Sequence, residues 1–429
     1  MLSPVTVLYK TAVMFETFSL AFGLVALLSV INNKVLKLPF TIGLLLLSLI
    51  IVGVLRLSEP LAPGVFEYLC NLIEQSDFNH LLFNGLLSFL LFAGALQVKI
   101  SDLKQQRWPV LLFATLGVLI STVMVAVLTR LAATYLLDIY FPWVYAFLFG
   151  ALISPTDPIA VLAILKSTKV SKSLLLKIEG ESLFNDGIGV VIFSGVLLFL
   201  PISGSESLNG VGSEIGMLFV EEALGGLAFG AVLGFAGYYL IRFNCQNPKQ
   251  VVMMSIAVVL SGYAAAGLLQ VSGPLSMVVA GLIIGNKLDI TRKKAPLEIH
   301  LMHEFWEVME MALNGILFVM MGLQLHLLQW NLPAVLLGLM AIVIVLMSRY
   351  LSIFSTYSLL RHRSDHAPGK TIKVLTWGGL RGAISVALAF SLSYLPQGNT
   401  IMVVTFTVVI FSVLAQGLSV GAVVKRLYG

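Results

Sequence analysis

Glu181, Ser182, Asn185 and Asp186 stand together in the run 180–187, inside a stretch otherwise apolar enough to be a membrane helix. On a helix, Ser182 and Asp186 are four residues apart and share a face, and Glu181 and Asn185 share the neighbouring face. One stripe therefore offers a hydroxyl and a carboxylate. The other offers an amide and a second carboxylate that needs a cation. Charge at membrane depth is costly and usually marks an ion or proton pathway. Cation or proton handling is the chemistry these residues could perform.

Two further stretches bring polar groups to membrane depth by breaking a helix. In 153–158, Ile-Ser-Pro-Thr-Asp-Pro, prolines flank Thr156 and Asp157. Each proline removes an N–H and disfavours helix before it, so the helix should stop here. A broken helix exposes carbonyls and a half-helix N-terminus, which is tolerated where the backbone lines a cavity. Asp157 beside a positive half-helix end is favoured. In 376–382, Thr-Trp-Gly-Gly-Leu-Arg-Gly, three glycines permit a second break, and Arg381 would offset a negative half-helix end. Arg349 and Arg381 lie too deep in their segments to reach water, so both want partners. Glu181 is the expected partner of Arg349. A proline kink or a glycine-rich contact is often no more than packing; an Asp between two prolines and an Arg among glycines point to function.

The elements that position these residues follow from composition. The chain has 429 residues, 58% hydrophobic and 11% charged. Charged residues make up about 25% of an ordinary soluble domain. Apolar runs recur throughout, near 12–31, 39–57, 79–98, 109–137, 143–166, 174–200, 216–242, 250–270, 274–286, 303–327, 332–360, 372–395 and 399–424. This predicts an all-α polytopic membrane protein of thirteen transmembrane helices, forming one transporter domain over 1–429. The ninth run is short for a bilayer, so it should be tilted, partly re-entrant or longer than its apolar core. The first run shows no convincing cleavage site and should remain as a membrane helix.

Most of the 26 Lys and Arg residues fall in alternate loops. Lys166, Lys169, Lys172 and Lys177 form one such cluster. The positive-inside rule then places the N-terminus outside and the C-terminus in the cytoplasm. Cys70 and Cys245 fall on opposite sides, which excludes a bond between them within one chain. Arg130 should snorkel outward. The net charge of +5 is explained by these loops, and nucleic-acid binding is not expected. Segments five and twelve, which hold the two breaks, occupy like positions in halves displaced by seven segments and therefore inverted. Repeat one covers about 12–200, a linker helix about 216–242 and repeat two about 250–424. Paired interrupted helices in inverted halves point to a secondary transporter's site, here built from segments 143–166, 174–200, 332–360 and 372–395.

Two motifs are decoys. His303-Glu304-Phe305-Trp306-Glu307 lacks the second His of a zinc protease helix. Gly417-Leu418-Ser419-Val420-Gly421 matches a nucleophile elbow but has no strand before it. An enzyme is therefore not expected, and a cation channel is the rival from another class. Met309, Met311, Met320 and Met321 read as packing.

Taken together, "SPTDPIAVLAILK", "GESLFNDGIGVVIF", "SGPLSMVVAGLIIGN", "FWEVMEMALNGILFVMMGLQL" and "TWGGLRGAISVALA" resemble the monovalent cation:proton antiporter-1 family, which includes the prokaryotic NhaP-type antiporters. The blocks come in family order and span nearly the whole chain. The resemblance implies crossing broken helices in inverted six-helix repeats, a mobile core and a dimerisation domain, in the plasma membrane of a prokaryote. It implies that Asp186 carries Na+ or Li+ and H+ in turn, with no cofactor. Asp157, Ser182 and Thr156, the last through its carbonyl, would complete the ion site. Asn185 would orient the break at Thr156 and Asp157, and stands where electrogenic relatives carry a second Asp, implying electroneutral exchange. Glu181 would pair with Arg349, and Arg381 would stabilise the crossing. The chain departs from the family at Ala93, where many members carry Glu, and regulation by a long cytoplasmic tail like that of animal exchangers is not expected.

Overall fold

A computed structural model gives the fold, describing residues 4–60, 64, 68, 86–166, 168, 170–197, 199–200, 211–243, 247–291, 296–360 and 368–428. Cys70, Cys245, Lys169 and residues 79–85 of the third apolar run lie outside the described residues. All regular structure among the described residues is helical. The helices are α1 (Pro4–Ile31), α2 (Phe40–Ser58), α3 (Leu87–Gln97), α4 (Ile100–Leu112), α5 (Val118–Leu131), α6 (Trp143–Ile153), α7 (Ile159–Leu165), α8 (Lys172–Leu197) and α9 (Val211–Phe243). They continue with α10 (Pro248–Leu268), α11 (Gly273–Thr291), α12 (Pro296–Leu323), α13 (Leu332–Leu359), α14 (Pro368–Trp377), α15 (Ala383–Phe390), α16 (Gly398–Phe411) and α17 (Gly417–Tyr428). Single π turns join α4 to α5 and α16 to α17.

Among the described residues, eight helical stretches are long and apolar enough to cross a bilayer. Leu87–Gln97, Trp143–Ile153 and Gly273–Leu288 are shorter apolar helices. The ninth apolar run belongs to a helix of 19 residues. Residues beyond the run, from Lys287 to Thr291, continue the helix, so the run alone understates its length. The fourth run also starts earlier than its hydropathy indicates. α4 carries Lys104 and Arg107 inside a helix that departs from helical geometry at Gln106, shortly before Pro109.

Local sequence explains several ends. Asn247 and Asn331 cap α10 and α13, accepting from Lys249 N at 3.0 Å and Ala334 N at 2.8 Å, each with a proline in the first turn. Asn286 spans the short step between α3 and α4. It donates to the Val98 carbonyl at 2.8 Å and accepts from Ile100 N at 2.5 Å.

The helices sort into two packed groups. α1, α2, α3, α9, α10, α11 and α12 form one; α4 to α8 and α13 to α17 form the other. The groups meet along α8 against α11 and α12 against α15. In the first group Trp306 of α12 is fully buried, lies 4.8 Å from the Phe92 ring of α3, and donates Nε1 to Ser255 Oγ of α10 at 2.9 Å. Small residues let α9 and α11 touch backbone to backbone: a Cβ added at Gly230 would stand 2.7 Å from Ser276 O. Of the methionines read as packing, Met320 and Met321 are buried, Met309 is partly buried and Met311 is 49% exposed.

The Gly230 contact generates the first prediction. Gly230→Leu must push apart two backbones and should destabilise the protein by about 1–3 kcal/mol or more. Thermal unfolding in detergent measures this, and wild-type melting would contradict the close approach.

Candidate ion-binding site

The helix entered at Trp143 stops at Ile153 and restarts at Ile159; the one entered at Pro368 stops at Trp377 and restarts at Ala383. The two breaks lie against each other. Asp157 N donates to the Leu380 carbonyl at 2.8 Å, a direct backbone bond between them. Arg381, fully inside the protein, donates Nη1 to the Ser154 carbonyl and, at 2.9 Å, to the Pro155 carbonyl. Those carbonyls end α6, so the guanidinium sits at a negative helix end and pairs acceptors that the prolines orphan. Arg381 N in turn donates to Ser412 Oγ at 3.0 Å. Gly382 is obligatory for this approach: a Cβ there would stand 2.7 Å from the Cβ of Asp157.

α8 passes beside the crossing and presents its two stripes to it. Ser182 Oγ donates to the Thr156 carbonyl. A carbonyl has two lone pairs, so one remains for another partner. Asn185 donates Nδ2 to Thr156 Oγ1 at 2.9 Å, while its Oδ1 is buried without a hydrogen bond. Asp157 turns one oxygen, Oδ1, to Ile159 N at 2.9 Å, pairing the first N–H of α7. On the adjacent stripe Glu181 accepts from Arg349 Nη1 of α13 at 2.5 Å, with both side chains almost wholly buried. Gly189 is a second place where only glycine fits, because Pro155 lies against its Cα.

The geometry separates two kinds of charge. Glu181 and Arg349 neutralise each other, and Arg381 is spent on carbonyls. Asp157, Asp186 and Ser182 instead line a cavity of about 130 Å³, with no Lys or Arg among its described lining residues. Carboxylate, hydroxyl and carbonyl oxygens are hard ligands suited to a small cation such as Na+.

One expectation needs correction. Lys177, read as part of a basic loop, lies inside α8, is 3% exposed, and sits 5.8 Å from the Tyr357 ring centroid. An aromatic face offers this cation a nearer partner than water. Arg130 donates to the Phe141 carbonyl, in the loop that follows its segment, and stacks 4.7 Å from the Trp143 ring centroid. The site also contains groups that the sequence reading missed. Gln97, Glu179, Glu310, Asn314 and Ser385 line the same cavity. Glu310 carried a usable signal, as an acid in an apolar run four residues before Asn314. Gln97 carried none, since it reaches the cavity through tertiary packing.

A family model described as "Sodium/hydrogen exchanger, transmembrane" matches residues 22–426. The chain is 41% identical to the Na+/H+ antiporter NhaP of Pseudomonas aeruginosa, over 97% of each chain. It is 33% identical to the Na+/H+ antiporter NhaH of Halobacillus dabanensis, covering 92% of this chain and 93% of that one. Among solved structures it is similar to the sodium proton antiporter MjNhaP1 from Methanocaldococcus jannaschii. The TM-score there is 0.77 at 23% identity, with 98% of this chain and 100% of that chain covered. At that identity the likeness is one of fold.

The buried pair makes a stability prediction. Glu181→Ala strands the Arg349 guanidinium and should cost about 3–5 kcal/mol, whereas replacing both residues by Leu should be less harmful than either single change. Melting curves of the three variants in detergent test this; a single variant as stable as wild type would count against the pair.

Proposed function

The chain belongs to the sodium/hydrogen exchanger family, and on that premise we propose that it exchanges Na+ for H+ across a prokaryotic plasma membrane, with Asp186 binding the two in turn. The observation that carries this reading is the shared cavity: two carboxylates at membrane depth face it with no basic side chain among its described lining. Na+ or Li+ would be held by Asp186 and Asp157, by Ser182, and by the remaining lone pair of the Thr156 carbonyl. Asn185 holds Thr156 in place. Arg381 keeps the two breaks crossed, and the Glu181–Arg349 pair fixes α8 to α13.

Exchange follows from the cost of burying charge. With Na+ or with a proton, Asp186 is not a bare buried anion. Empty and ionised, it would be, and carrying an unpaired charge through a low-dielectric interior is expensive. The empty site therefore crosses poorly, and ion and proton must alternate. The helix group holding the breaks would be the moving part and the group built on α1–α3 and α9–α12 the fixed part, which also supplies the contacts of a homodimer. The two breaks would be equivalent positions of inverted repeats. Positive-inside loops place the N-terminus outside and the C-terminus in the cytoplasm. Asn185, neutral and committed to Thr156, supports a cycle of one cation for one proton.

In sealed vesicles holding a pH gradient, adding Na+ or Li+ should dissipate the gradient, and Asp186→Asn should abolish this while remaining folded. Normal exchange by Asp186→Asn would overturn the assignment of the carrier. Cation flux without proton movement would favour a channel. An imposed membrane potential should leave the rate unchanged; a rate that follows the potential would refute one-for-one exchange.

A further inference from the structure

The cavity of Asp157 and Asp186 has a second wall that the mechanism above does not use. Glu310 and Asn314, one turn apart on α12, both line it. α12 belongs to the helix group that faces the breaks, so these residues stand opposite the proposed carrier and are not part of its group. Glu310 is held in place: Gln97 Nε2 at the end of α3 donates to its Oε2 at 2.6 Å. Oε1 accepts no hydrogen bond from the described residues.

Asn314 supplies an independent indication. It is 4% exposed, and its Nδ2 donates to the Glu310 backbone carbonyl at 3.0 Å. A carbonyl oxygen only accepts, so this bond fixes which end of the amide is the NH2 group. The side-chain oxygen of Asn314 is thereby turned elsewhere and receives no donor among the described residues. An amide oxygen on a buried residue and a carboxylate oxygen, neither with a donor among the described residues, belong to two side chains that line the same cavity. Both are hard oxygen ligands, and a cation satisfies both at once.

A second cavity adjoins this wall. Bordered by Lys99, Lys166 and Lys172, it shares Gln97, Val98, Leu162 and Glu179 with the first. Gln97 therefore stands where the basic mouth meets the ion cavity, and Glu310 is bonded to it. Across the cavity, Asp157 and Asp186 form an acidic wall opposite an acidic Glu310. Like charges across a low-dielectric gap repel unless a cation or a proton lies between them.

We infer that Glu310 and Asn314, with Gln97 positioning the carboxylate, form a second binding station for a monovalent cation such as Na+, on the wall past which the carrier site moves. This rests on the exchange reading given above. The station takes up the ion on this side and delivers it to Asp186. Because it lies on the opposite helix group, it faces Asp186 only when the carrier opens to this side. It thus raises the capture of Na+ here without tightening its hold on the far side. Glu310 and Asn314 contact the ion, whereas Gln97 acts through Glu310 and is a positioning residue.

The test uses the full-length protein with NaCl as probe, and choline chloride keeps ionic strength constant. In vesicles, Glu310→Gln should raise the KM for Na+ by about tenfold with little change in maximal rate, the pattern of lost ion capture. Glu310→Asp should recover part of that loss, which a merely structural role would not predict. In detergent, Asp186→Asn should keep a rise in melting temperature on adding Na+, and Asp186→Asn combined with Glu310→Gln should lose it. A wild-type KM in Glu310→Gln, or equal Na+ stabilisation of the single and double Asp186→Asn variants, would overturn the second station. Transport by Asp186→Asn would instead overturn the carrier assignment, and the melting comparison would still decide for or against Glu310.

Discussion

A helix that ends inside a membrane must find partners for the backbone groups it releases, and no water is there to supply them. Every other feature of the ion site depends on how this chain meets that demand. The prolines around Thr156 and Asp157 stop one helix, and the glycines around Leu380 stop another. Each break then serves the other. Asp157 N reaches the Leu380 carbonyl, and Arg381 takes the Ser154 and Pro155 carbonyls. The result is irregular backbone, with carboxylate and hydroxyl oxygens of Asp157, Asp186 and Ser182 lining a small cavity and the Thr156 carbonyl bonded to Ser182.

The buried charges around this crossing fall into two classes with different consequences. Glu181, Arg349 and Arg381 are matched by partners of the chain itself, and they hold α8, α13 and the two breaks in one arrangement. Asp157 and Asp186 line the cavity without a basic residue among its described lining. On the exchange proposed above, a transported cation or proton would supply the missing charge, and this vacancy in the electrostatics would give the site its use. Asn185 sits between the classes: it is wholly buried, bonded to Thr156, and adds no charge.

Much of this arrangement was legible in the sequence because it rests on local chemistry. Proline before and after Asp157 breaks a helix whatever surrounds it, and an acid and an arginine far from water require partners. Segment ends were harder to read, since hydropathy follows the apolar core of a helix and not its hydrogen bonding. The helix holding 274–286 continues through Lys287 to Thr291, and α4 begins at Ile100, inside what reads as a polar loop. Lys177 has the composition of a loop residue, yet it is buried against Tyr357 on another helix. Glu310 was visible as an acid in an apolar run. Its meaning depended on Gln97 more than two hundred residues away, and that proximity is a product of packing.

The central claim is that a cation and a proton compete for the same carboxylate. Calorimetric titration of the purified protein with Na+, repeated in buffers of different ionisation enthalpy, counts the protons released per cation bound. The account predicts proton release on Na+ binding by the wild type, and loss of that release in Asp186→Asn. Na+ binding that releases no proton, or a release unchanged in Asp186→Asn, would contradict it.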